Sequence, residues 1–257
     1  MKVVIHHTPG IRWQRRYLEF FVEGFRKHGI RATPTVATTQ VAGSDVAVLF
    51  GPNYWKLVER THTQFLMVNR KFLGDVDDNV VIGWNGLNGR GTYCVGEVNQ
   101  NRLRKHIFNL EPWREPTEGY TLLLGQHDVG RCGRYTTLQE WYDYVEANTG
   151  DKVLFRAWPG GRPITIDCRG ARMAVSLNST VAIETVLLGI PTVTCDKGNP
   201  AWPICAHHVG HVHRSDNRLA WLEYLANCQW HYHQIKNGDF WRQLWPIEGP
   251  RLCDVEL

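Results

Sequence analysis

No stretch of this chain stays apolar for the ~18–20 residues that a bilayer-spanning helix needs. The opening segment MKVVIHHTPG is too short in its apolar part for a secretory signal and reads as a first strand. No membrane association is expected, and the expected location is the cytoplasm. The seven cysteines, Cys94, Cys132, Cys168, Cys195, Cys205, Cys228 and Cys253, include no C-x-x-C pair. Their odd number and long spacings argue against a disulfide framework and a zinc ribbon, so reduced, mostly buried thiols are expected. Internal repeats and low-complexity segments are also absent.

What remains is the composition of a folded protein: 257 residues, 43% hydrophobic and 21% charged. The net charge of +4 and a pI near 8.7 are mildly basic, short of the pI above ~9 of a dedicated nucleic-acid domain. Eleven tryptophans are many for this length. Trp13, Trp55, Trp84, Trp113, Trp158 and Trp202 fall in or near expected loops, where an indole face can stack on a sugar or base.

Along the chain, strands are expected at 3–6, 32–36, 45–50 and 64–68, with helices at 15–28 and 54–60. Leu18, Phe21, Val22 and Phe25 form the apolar stripe of the first helix, which Gly29 ends. Residues 69–93 are rich in Gly and Asn and show no hydrophobic period, so a long loop is expected there. Residues 102–116 read as a linker. A second α/β series follows, with strands at 120–124 and 153–156 and a helix at 138–147. Strand–helix alternation in both halves predicts parallel sheets.

The most informative stretch is residues 173–195, MAVSLNSTVAIETVLLGIPTVTC. It parses as strand, polar turn, helix and strand. Asn178 or Ser179 caps the helix, Gly189 ends it and Pro191 prevents its continuation. Such a unit aims N–H groups and a helix dipole at one spot, where a phosphate can bind. The pattern S-x-N-S-T-x-x-x-E-x-x-x-x-G-x-P-x-V resembles the donor-nucleotide segment of GT-B glycosyltransferases. It is similar above all to the branch of Kdo and capsular-polysaccharide transferases and small phage-encoded glycosyltransferases. The run at 221–241, WLEYLANCQWHYHQIKNGDFW, resembles the C-terminal helices of the same group.

The resemblance implies two Rossmann-like α/β domains of GT-B type with a cleft between them. Residues 1–115 would bind acceptor, and residues 116–257, with the terminal helices, would bind the nucleotide-sugar donor. On the donor side, Gly125, Gln126 and Arg131 lie in a glycine-rich loop after a strand and suit a diphosphate. Arg156 stands where the family has a basic residue. Pro159 matches the family, while Trp158 stands at its His position, which points away from a cytidine-monophosphate donor. Ser176, Asn178, Ser179 and Thr180 would hold phosphate, and Glu184, too far along the helix to cap it, would take the ribose. A catalytic base is expected among Asp75, Asp77 and Asp78, with His7 as its rival. Asn69-Arg70 stands where phage relatives carry Asp-Arg. Arg12, Arg15, Arg70, Trp84 and Arg90 are the acceptor-facing candidates.

The cluster of Cys205, His207, His208, His211 and His213 has ligand types suited to zinc. His211 and His213 alternate with valines as a strand would, however, and no second cluster exists, so no metal is expected. No essential cofactor is expected either, and the co-substrate is a nucleotide sugar, preferably a UDP-sugar. The functional expectation is sugar transfer to a hydroxyl, with a 5-hydroxymethylpyrimidine in double-stranded phage DNA as the specific acceptor and a host cytoplasm as its setting. The alternatives are a surface-glycan or lipid-linked acceptor, a sugar-nucleotide epimerase, and a DNA-binding module that kept the fold without catalysis.

Overall fold

Short apolar runs rich in β-branched residues become the strands of two separate sheets, seen in a computed structural model that describes residues 1–36, 44–51, 64–74, 78–93, 110–115, 118–126, 135–157, 161–245 and 251–255. The chain divides into two units. One holds Met1–Leu87, Gly91–Leu103 and Glu223–Arg251, and the other holds Asn88–Arg90, Arg104–Leu222 and Leu252–Leu257.

The first unit is built on β1 (Lys2–His7), β2 (Arg31–Val36), β3 (Val46–Phe50), β4 (Gln64–Arg70) and β5 (Asn79–Trp84), with α1 (Arg12–Arg26) between β1 and β2. The sheet is completed by β10 (Gln229–His231), and its order is β10-β5-β4-β3-β1-β2. Strands β2, β1, β3 and β4 run parallel. β5 is antiparallel to β4, and β10 to β5. β3 is buried at all five positions, as an inner parallel strand should be.

β5 corrects the expectation of loop throughout 69–93. Its Val80-Val81-Ile82 run is short and flanked by Asp, Asn and Gly, so the flanks hid a strand that β4 and β10 hold from either side. Trp84, at its end, is fully buried. Its indole N–H donates to the Leu244 carbonyl at 2.8 Å. The helix expected at 54–60 lies outside the described residues.

α1 turns Gln14, Tyr17, Phe21, Gly24 and Phe25 inward. The stripe is rotated from the expected one, and Leu18 and Val22 lie only partly buried at its margin. The rotation brings Gly24 against α6 (Tyr232–Asn237), where a Cβ would overlap the Ile235 carbonyl oxygen. Phe240, on α7 (Asp239–Leu244), packs edge-on to Phe21 and Phe25 with ring centres 5.2 and 5.1 Å away. The last helices therefore belong to the core of the first unit.

The second unit has β6 (Tyr120–Leu124), α2 (Leu138–Thr149), β7 (Val153–Arg156), α3 (Ile164–Asp167), β8 (Ala171–Ser176), α4 (Val181–Leu187) and β9 (Thr192–Thr194). Its four strands are all parallel in the order β7-β6-β8-β9. Thr137 and Glu140 form a capping box at the start of α2, and Gly150 ends it in the left-handed conformation. Helix α5 (Arg218–Asn227) carries the chain out of this unit and back to the first. No strand forms at 209–213, contrary to the alternation of His and Val there. No helix among the described residues is long and apolar enough to cross a membrane.

Two outcomes follow. Gly24→Ala forces the Ile235 backbone away and lowers stability by about 1–3 kcal/mol, read as a lower urea midpoint. His6 on β1 is 5% exposed. Among the described residues its Nδ1 has no hydrogen-bond partner, and burial holds its pKa below the ordinary value. The unfolded chain therefore binds a proton that the folded chain refuses as pH falls through about 6.5, so stability drops on acidification. His6→Leu shrinks the loss of urea midpoint between pH 7.5 and 5.5.

Candidate functional site

In each unit the first strand lies between the second and the third, in the order 2-1-3-4. The chain leaves such a strand to one side and later crosses to the other, which opens a crevice beyond the carboxyl ends of strands one and three. In the second unit that crevice lies between the ends of β6 and β8. Leu124 is in register with Ser176, which sets Gly125-Gln126 opposite Leu177-Asn178.

Two side-chain amides hold the polar turn there. The Gln126 Oε1 accepts from the Asn178 backbone N–H at 3.1 Å, spanning the crevice. From below, the fully buried Asn199 donates through Nδ2 to Ser176 Oγ at 3.1 Å, Leu177 O at 3.0 Å and Ser179 O at 3.3 Å. Its Oδ1 accepts from the Ala201 N–H at 2.9 Å. Ser176 is itself fully buried, so its hydroxyl braces Asn199 and does not reach a ligand. This corrects its assignment to donor contact.

The start of α4 differs from the expected cap. Thr180 is the N-cap residue, in helical conformation and with no side-chain cap. The Ser179 hydroxyl accepts from the Val181 N–H, and Ala182 and Ile183 donate to the Ser179 and Thr180 carbonyls. The first amides of this two-turn helix are thus engaged within the turn. The side chains of Asn178, Ser179 and Thr180, half-buried, and Glu184, exposed in the first turn, are what the crevice presents. Gly189 ends the helix at φ +71°, and a Cβ there would overlap the Pro112 carbonyl oxygen. Residues 110–115 are strapped along this end by hydrogen bonds from Glu111 N to Leu187 O and from Arg114 N to Gly189 O, both 2.8 Å. The Arg218 guanidinium lies 4.0 Å from the Trp113 ring centre, and it donates to Glu111 O and Val186 O.

Arg156 ends β7 beside Gly125, whose N–H donates to its carbonyl at 2.8 Å. Its guanidinium pairs with the buried Asp167 and donates to Arg162 O at 2.6 Å. Arg162 takes the other Asp167 oxygen. Two guanidiniums share one carboxylate, so the cluster keeps a positive charge, carried outward by Arg162, which is 56% exposed. Arg156 is therefore a half-buried brace and Arg162 the outward cation. Arg131 and Trp158 lie outside the described residues.

Sequence reasoning missed Asn199, Asp196 and Arg162. The Asp-Lys-Gly-Asn-Pro run at 196–200 is a turn signature that could have pointed to the first two.

In the first unit, His7 and Asp78 lie at the same end of the sheet's strands, because β5 is antiparallel and begins where β4 ends. Three strand spacings separate their strands, ~14 Å, so they cannot act on one proton together. Asp78 is exposed and His7 half-buried. Asp75 and Asp77 lie outside the described residues.

Arg12 and Arg15 are exposed on the first turn of α1. Nearby, Arg16 sits 5.1 Å over the Tyr232 ring and Arg70 5.7 Å over Trp13. Two acceptor-facing candidates are corrected. Trp84 is a core residue whose indole N–H is already bonded, and Arg90 donates to Asp196 at 2.9 Å in the second unit.

Among the described residues no group of three or more His, Cys, Asp or Glu is placed to hold a metal. Cys205 is buried, and burial pushes its thiol pKa far up. His207 stacks on Trp202 with ring centres 3.6 Å apart, and burial lowers its pKa.

No family model and no curated protein matches the chain. Among solved structures it resembles KpsC of Thermosulfurimonas dismutans, a beta Kdo 2,7 transferase, at 11% identity and a TM-score of 0.56, over 94% of this chain and 100% of that one. An alpha1,3-fucosyltransferase matches at 9% identity and TM-score 0.34, over 93% and 82% of the two chains. The substrate-binding protein CD0873 of Clostridium difficile matches at 12% identity and TM-score 0.31, over 99% and 87%. The KpsC likeness spans both units and shows a shared fold.

Asp167→Asn leaves two guanidiniums around a neutral amide. The expected loss is about 3 kcal/mol by urea denaturation, at the low end for a broken buried pair because Arg162 is largely in water.

Proposed function

We propose that this chain is a glycosyltransferase that docks a nucleotide sugar at the crevice of the second unit. The observation that carries the reading is the polar turn at 177–180, held at a topological switch point by Gln126 and Asn199. The full-length fold likeness to a Kdo transferase supports it. The hydroxyls of Ser179 and Thr180 and the amide of Asn178 meet the donor phosphates, Arg162 adds positive charge, and Glu184 takes a ribose hydroxyl. In the reaction an acceptor oxygen forms a bond to the anomeric carbon. The bond from that carbon to the phosphate oxygen breaks, and the leaving nucleotide keeps the electron pair. Stabilising that developing charge is the work of the turn and Arg162. A base in the first unit, among Asp75, Asp77, Asp78 and His7, takes the acceptor proton.

The acceptor is a polyanion that meets Arg12, Arg15 and Arg70, with a hydroxymethylated pyrimidine in duplex DNA as the first candidate. The likeness to KpsC favours a second reading, in which the acceptor hydroxyl belongs to a saccharide.

Purified protein is incubated with UDP-, GDP- and CMP-sugars and either DNA containing 5-hydroxymethylcytosine or 5-hydroxymethyluracil, or saccharide acceptors, and products are weighed by mass spectrometry. A sugar-sized gain on a nucleoside supports the DNA reading, and one on saccharide alone supports the second. No transfer and no nucleotide binding overturns both. Glu184→Gln and Ser179→Ala are each expected to lower kcat/KM about 10–100-fold, the equivalent of one hydrogen bond to a charged partner.

A further inference from the structure

The polar turn does not hold its own shape. Leu177 and Ser179 present their backbone carbonyls inward, and Asn199 is what those two carbonyls meet. Asn199 in turn sits on a loop with little regular structure, between β9 and the 3-10 turn Trp202–Ile204. Besides its own hydrogen bonds and that from the Trp221 indole N–H to Pro200 O, that loop is held from far away in sequence by the 3-10 turn Asn88–Arg90, which belongs to the second unit although both its flanks belong to the first.

The fit between Asn88–Arg90 and the loop is close. Gly89 N–H donates to Gly198 O at 3.0 Å. A Cβ on Gly89 would overlap the Lys197 carbonyl oxygen, so only glycine approaches so nearly. Asn88, at φ +52°, is left-handed, which turns the chain into this contact. Arg90 Nη2 then donates to Asp196 Oδ2 at 2.9 Å, while Asp196 Oδ1 accepts from the Gly198 N–H at 2.6 Å and Asp196 O from the Asn199 N–H at 2.9 Å. Asp196 is 8% exposed, so its charge is held in place by Arg90 and the Gly198 amide. A continuous set of hydrogen bonds thus runs from Arg90 through Asp196 and Asn199 to the turn at 176–179.

We propose that Asn199 is the positioning residue of the donor turn, and that the Gly89–Arg90 hook holds Asn199 in register, so that nucleotide affinity depends on residue 90 although Arg90 touches no nucleotide. This rests on the donor-site reading given under Proposed function.

The test titrates UDP, GDP and CMP into wild type, Arg90→Ala, Arg90→Lys, Asn199→Asp and Arg172→Ala by calorimetry, with a thermal melt of each. Arg172 pairs with Asp151 at the opposite end of the same sheet and serves as the control for plain destabilisation. For the nucleotide that wild type binds, Arg90→Ala is expected to raise Kd about tenfold, and Asn199→Asp more, because a carboxylate would face three oxygens. Arg90→Lys restores most of the affinity. Arg172→Ala melts lower and keeps its Kd. In turnover, Arg90→Ala raises KM for the nucleotide sugar and leaves kcat within about twofold. If Arg90→Ala, half exposed and expected to fold, melts cooperatively with an unchanged Kd, the inference is overturned. Wild type that binds none of the three nucleotides would instead overturn the donor-site reading, and the inference with it.

Discussion

Parallel neighbours cannot be joined by tight turns, so the chain leaves the first strand by a crossover to one side and later crosses to the other, and this constraint shapes both units. β1 lies between β2 and β3, and β6 between β7 and β8. At the carboxyl end of each, the chain parts and leaves polar backbone with no strand to pair with. Those groups must find partners elsewhere or cost about 1–3 kcal/mol each when buried. In the first unit the Gln14 side chain answers for one of them, accepting from the Thr8 N–H at 2.8 Å. In the second, Gln126 and Asn199 do so.

Side-chain amides suit this task because they are neutral. A carboxylate under the turn would repel the three oxygens that Asn199 meets, and a cation would need its own counter-charge. An amide satisfies both donors and acceptors and leaves the field of the crevice to the exposed groups. The charged pairs stand to one side. Asp167 gathers Arg156 and Arg162, and its backbone carbonyl accepts from the Tyr120 hydroxyl at 2.5 Å, which ties the cluster to the start of β6. Cys168 follows it in a buried position where desolvation pushes the thiol pKa to about 11, so it is inert as a nucleophile at neutral pH.

Most strands could be read from sequence because their signals are local. Val46–Phe50 is an apolar run of strand length, and the helix expected at 138–147 forms at Leu138–Thr149. The segment through Gly189 was legible for the same reason, down to the left-handed glycine. What escaped depends on partners distant in the chain. β5 is too short and too closely flanked by turn residues to declare itself without β4 and β10. The three residues of β10 become a strand only because β5 offers an edge, with the Gln229 side chain accepting from the Phe72 and Leu73 N–H groups. Trp84 looked like an exposed loop aromatic for want of the Leu244 carbonyl. Among the candidate residues, Asn178, Ser179 and Thr180 were legible as a turn. Asn199 was not, since nothing in its own neighbourhood says that it will reach back more than twenty positions to Ser176.

The way the chain alternates between units has a practical meaning for anyone who would divide it. The second unit draws on three separate pieces of sequence, and the first on three others. A fragment beginning at residue 116 would lose Glu111, Pro112 and Trp113, leaving bare the end of α4 and the Arg218 guanidinium. A fragment of 104–222 would keep that strap but expose Asp196 and the Gly198 carbonyl where Gly89 and Arg90 belong. No single cut separates two self-sufficient halves, so a recombination or truncation that treats the molecule as two beads on a string will break both.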